Sequence, residues 1–79
     1  MRVVLLVLLG WYALVPPADR WDAPLGAWEH FKAFDTANDC ERTLVPYVRD
    51  LPRNTPEAMA WYERVLRARC IDSADGRLR

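Results

Sequence analysis

The feature that most constrains this chain is its opening, MRVVLLVLLGWYALVPP. Arg2 precedes an apolar stretch from Val3 to Val15, and Pro16-Pro17 stop any helix that runs through it. As a helix, 13 residues reach about 20 Å, and a bilayer core needs about 30 Å. The stretch is therefore short for a full span and right for the apolar region of a signal peptide. Three readings stay open: a cleaved signal, a short retained anchor with Trp11 and Tyr12 near the membrane interface, or a core segment of a soluble domain. Cutting after Ala18 puts Pro16 at position −3, and cutting after Ala13 puts Trp11 there, so neither cleavage site is good. The division that follows is residues 1–18 as signal peptide or anchor, 19–26 as linker and 27–79 as a small folded domain.

A domain of about 60 residues is marginal without a staple. The chain has two cysteines, Cys40 and Cys70, and an even count in a short exported chain reads as one disulfide. Free buried thiols are the alternative. Eleven basic and eleven acidic residues give a formal net charge of zero, without the basic excess usual in phosphate-binding modules. No nucleic-acid partner is expected.

After the linker, AWEHFKAF (27–34) is rich in aromatics and reads as a strand. Its alternation is imperfect, and a helix with Trp28, Phe31 and Phe34 three apart remains the other choice. A helix then starts at Asp35 or Thr36 as N-cap, with Asp39 three residues after Thr36. Ala37, Cys40, Leu44, Tyr47 and Val48 form its inner face, and Pro46 is expected to end or kink it near Val45. LPRNTPEA (51–58) is a loop closing on Thr55 as N-cap and Pro56 at the first helical position. The second helix is expected from Pro56 to about Ala68, with Trp61, Tyr62 and Val65 on its apolar side. RCID (69–72) becomes a short strand paired with residues 28–34. The expected fold is α+β: strand, helix, helix, strand, one Cys40–Cys70 disulfide, and an apolar helix in front.

The segments GWYALVPP, APLGAW, FDTANDCE and ARCIDSADGRLR together resemble a set of small bacterial proteins of unknown function. These share W-Y-L-x-x-P-P, P-L-x-x-W, F-D-T-A-x-x-C-E and R-C-I-x-x-D-x-R-L. The resemblance covers most of the chain except residues 43–67. It implies an exported protein with a cysteine pair and supplies no reaction. One departure is ADGRL, where such proteins carry DDPRL.

Side chains able to carry chemistry are few. His30 and Ser73 are the single histidine and serine, and neither sits in a nucleophile motif. Cys40, Cys70 and His30 fit no zinc spacing, so no metal or cofactor is expected. Asp35, Asp39 and Glu41 are explained by helix capping and the helix dipole. The carboxy-terminal third is basic with aromatics beside it, and Trp21, Trp61, Arg64 and Arg67 are the expected contact surface. The function expected is that of an exported protein, periplasmic, secreted or membrane-tethered, that is not an enzyme and acts by binding. Its partners would be a membrane through residues 3–15, an anionic surface, or another protein. The alternatives are a hydrolase-like component using carboxylates and a cytosolic regulator with free thiols.

Overall fold

A computed structural model describes residues 10–78. Its elements are β1 (Trp11–Val15), β2 (Glu29–Phe34), α1 (Ala37–Asp50), α2 (Pro56–Leu66) and β3 (Arg69–Asp72), with single 3-10 turns at Leu25–Ala27 and Gly76–Leu78. The strands form an antiparallel sheet in the order β2-β1-β3, so the fold is α+β with two helices and one disulfide.

The main correction concerns the opening segment. Trp11–Val15 is not the end of an apolar helix but the central strand of the sheet. It pairs with β2 from Trp11↔Phe34 to Val15↔Glu29 and with β3 from Trp11↔Asp72 to Leu14↔Arg69. Residues 1–9, the rest of the expected helix, lie outside the described residues. β1 is covered on both faces. Ala13 joins Cys40 and Leu44 on the helix side, with Phe31, Phe34, Ala68 and Cys70 packed around them. Leu14 joins Leu25 and Ile71 on the other side, with Tyr12, Trp28 and Leu78. A strand buried on both faces has no polar side to alternate with, so it reads as one apolar run. The expected pairing of RCID with residues 28–34 is corrected in the same way, because β1 lies between β3 and β2.

The imperfect alternation of β2 also has a structural cause. Ala13 pairs with Lys32 but Leu14 pairs with His30, so Phe31 is an extra residue in a β-bulge. The bulge turns Phe31 to the helix side while His30 stays on the opposite face, stacked on Tyr12 with ring centroids 4.6 Å apart. Residues 19–26, read from sequence as a linker, fold against the sheet. Ala23 and Leu25 are buried, and Trp28 Nε1 donates to the Ala23 carbonyl at 2.8 Å.

Both helices begin where their caps place them. Thr36 Oγ1 accepts from the Asp39 amide at 3.0 Å, and Thr55 Oγ1 accepts from the Ala58 amide at 3.0 Å. α1 runs through Pro46 to Asp50, so of the two expectations for Pro46, an end or a kink near Val45, the end is not seen. Proline removes the hydrogen bond to the carbonyl of Arg42, which is an exposed residue, so water can satisfy that carbonyl.

Gly10 starts β1 at φ +145°, and a Cβ there would sit 2.8 Å from the Phe34 carbonyl oxygen. Its own carbonyl accepts from the Ser73 amide at 2.9 Å, which ties the residue before β1 to the residue after β3. Gly10→Ala is expected to destabilise the domain by about 1–3 kcal/mol, through a disfavoured backbone region and a backbone clash. Urea denaturation of the variant checks this, and a midpoint equal to wild type would contradict it.

Candidate contact surface and groove

The four residues expected to make contacts divide into two inward and two outward ones. Trp61 on α2 meets Phe31 edge-on at 5.7 Å between ring centroids, and its Nε1 donates to the Tyr47 hydroxyl at 3.1 Å. Phe31 also packs on Tyr47 at 5.1 Å. This aromatic cluster joins β2 to both helices, and the bulge at Phe31 makes it possible. Arg64 lies over the Trp61 ring at 5.3 Å, its Nε donates to the Pro16 carbonyl at 2.9 Å, and a terminal nitrogen reaches Glu29 Oε1 at 2.8 Å. Its side chain is only 20 % exposed. Trp61 and Arg64 are thus structural ties between α2, β2 and the residue after β1.

Arg64→Ala removes the donor to the carbonyl of a fully buried proline. The expected cost is about 1–3 kcal/mol, the range for a buried acceptor left unsatisfied. Glu29→Gln breaks only a half-exposed ion pair and is expected to cost under about 1 kcal/mol. Equal costs in parallel urea melts would contradict this ranking.

Trp21 and Arg67 face outward. The guanidinium of Arg67 stacks over the Trp21 ring at 4.3 Å and also donates to the Glu63 carbonyl at 2.8 Å, while Trp21 remains 39 % exposed. Arg53 stacks over Tyr62 at 4.6 Å. Sequence reading passed over Arg53, although its place in the loop before α2 was visible.

A second feature was not anticipated. An open groove of about 560 Å³ runs between α1, the end of α2 and β3. Val45, Val48 and Leu66 line it, with Glu41 and Arg69 as its charged residues. Val45 is 66 % and Leu66 55 % exposed, which is high for side chains of their size.

Cys40 on α1 and Cys70 on β3 are joined, with Cα atoms 6.1 Å apart. Cys70 lies opposite Ala13 of β1, so the bond fastens α1 across the sheet beside its central strand. His30 pairs opposite Leu14 on one edge of the sheet and Ser73 lies beyond β3 opposite Gly10. Two strand spacings across and four residues along separate them by about 16 Å. No group of three or more metal-ligating side chains occurs among the described residues. No helix among them is long and apolar enough to cross a membrane.

The ADGRL corner is a compact turn. Asp75 accepts from the Arg77 amide at 2.9 Å and from its guanidinium at 2.7 Å. Those bonds hold the Asp75 carboxyl down at about 2. A carboxylate lowered in the folded state contributes stability above its ordinary pKa near 4, and that contribution is lost as pH falls towards 2. The carbon-detected NMR titration of Asp75 is expected to have its midpoint near pH 2, and Arg77→Ala, which removes the guanidinium but keeps the backbone amide bond, is expected to move it up towards the ordinary carboxylate range. A wild-type midpoint already in that range would contradict the turn.

No protein-family model matches this chain, and no curated protein or solved structure shows significant similarity to it.

Proposed function

We propose that the chain is an exported, membrane-tethered, non-catalytic module that acts by surface contact, with its apolar opening retained. The observation that carries this reading is the place of β1. Both sequence positions considered for cleavage, after Ala13 and after Ala18, would remove all or most of the central strand. Retention leaves the aliphatic run Val3–Leu9 attached directly in front of the domain. The Cys40–Cys70 bond is compatible with an oxidising compartment and disfavours a cytosolic regulator with free thiols. Support for a non-catalytic role comes from His30, which stacks on Tyr12 far from Ser73. Asp39 and Glu41 occupy the first turns of α1, where the helix dipole accounts for them.

The outward contact groups are the stacked pairs Arg67–Trp21 and Arg53–Tyr62. An arginine over an aromatic ring offers charge and apolar area together, the combination suited to an anionic surface. Fusing a reporter active only outside the cytoplasm to Arg79 tests export, and a silent fusion at normal expression refutes it. Vesicle sedimentation of the full chain tests the surface. Binding should be stronger to anionic than to zwitterionic vesicles, and Arg53→Glu with Arg67→Glu should remove that difference. No difference in the wild type refutes the anionic contact.

A further inference from the structure

We infer that the free edge of β3, together with the groove beside it, is the interface of a two-fold dimer of this chain. Ser73 donates to the Gly10 carbonyl at 2.9 Å, and this sets the phase of the ladder. Arg69, Ile71 and Ser73 turn their peptide groups towards β1, opposite Leu14, Tyr12 and Gly10. The C=O of a residue and the N–H of the next point in opposite directions across a planar peptide. The Ala68 carbonyl, both peptide groups of Cys70 and the Asp72 amide therefore point to the open side. Two neighbours on that edge are already engaged. The Ala68 amide donates to the Val65 carbonyl at 2.9 Å, and the Asp72 carbonyl accepts from the Asp75 amide at 2.9 Å.

The remaining inventory is two donors and two acceptors, and it is self-complementary. An antiparallel second copy with the two-fold axis at Cys70 pairs each Cys70 amide with the other Cys70 carbonyl. It also pairs each Asp72 amide with the other Ala68 carbonyl. That register needs neither of the two engaged groups. The same patch serves both subunits, as a two-fold interface requires.

The groove follows the same symmetry. α1 starts at the Phe34 end of the sheet, beside Asp72, so Glu41 lies towards that end of β3. Arg69 and Leu66 lie at the other end, where α2 enters β3. Antiparallel pairing reverses these ends and brings the acidic end of one groove to the basic end of the other. It also covers Val45 and Leu66, the two most exposed large apolar side chains. The product is a six-stranded sheet in the order β2-β1-β3-β3-β1-β2 with the helices of both copies on one face. β3 is a short strand, Arg69–Asp72, and an open edge beside exposed apolar side chains is one that folded proteins cover or pair.

The test is sedimentation velocity of the full oxidised chain in a mild nonionic detergent over the micromolar range, joined to amide exchange at Cys70 and Asp72. The expected result is twice the chain mass, with both amides protected. The Val45→Glu and Leu66→Glu double variant changes only exposed side chains, so its circular dichroism and its disulfide should match wild type. It should sediment at the mass of one chain with both amides exchanging freely. A wild type that stays monomeric overturns the proposal, leaving the edge open to another protein's strand. So does a dimer that persists in the double variant, or one whose Cys70 and Asp72 amides exchange freely.

Discussion

Reducing the Cys40–Cys70 bond, or replacing either cysteine with alanine, is expected to lower stability by about 2–5 kcal/mol. The bond closes a separation of 30 residues, for which the chain-entropy relation gives about 3.6 kcal/mol. The two single variants and the double variant should melt alike, because either change already breaks the bond. Cys40 is fully buried beside Ala13 and Leu44, so its replacement adds a small packing loss. For a domain of this size the total is a large part of the folded margin. Thermal melts of the four proteins, with and without reductant, make the comparison. If oxidised and reduced wild type melt together, the disulfide does not support the fold as described.

Deleting residues 1–18 is expected to abolish folding altogether. The deletion removes β1, which among the described residues carries every hydrogen bond of the sheet ladder because β2 and β3 pair there only with it. It takes Ala13, Leu14 and Val15, all fully buried, out of the two cores at once. It also removes Pro16, whose carbonyl receives Arg64. Leu14 and Val15 each cost about 2–5 kcal/mol when lost, together comparable with the usual stability of a whole small domain before the lost ladder is counted. The truncated chain should show no cooperative melt and should scramble or fail to form its disulfide. A chain starting at Gly10 should fold. Far-ultraviolet circular dichroism and thermal melts separate the two, and a cooperative transition in the shorter chain would contradict the place given to β1.

Much of the helical half was legible in the residues. Thr36 and Thr55 cap where their side chains and the following Asp39 and Pro56 indicate, since capping is a local interaction. The cysteine pair followed from count and chain length. The sheet was less legible because its signals are tertiary. WYALV could be a strand, an interfacial segment or the end of a signal peptide, and only its two partners decide. The same five residues are apolar in every reading, because burial on both faces and burial in a bilayer demand the same side chains. The bulge at Phe31 was present in EHFKAF as broken alternation, but alternation alone does not say which residue is extra. Trp61 and Arg64 were marked as contacts from their types, and turn inward because Phe31 and the Pro16 carbonyl happen to lie opposite. Nothing along one helix could reveal a carbonyl 48 residues away. The Arg67–Trp21 pair, by contrast, lies on the outside of the domain.

The central claim is that the apolar opening supplies the middle strand of a disulfide-closed domain and therefore stays with it. Intact mass of the protein isolated from its native host, before and after reduction and alkylation, tests this most directly. The expected result is an amino terminus at or before Val3 and a mass two hydrogens below the reduced form, with no thiol alkylated before reduction. An amino terminus at or after Gly10 on a folded protein, or two thiols alkylated without reductant, would contradict it.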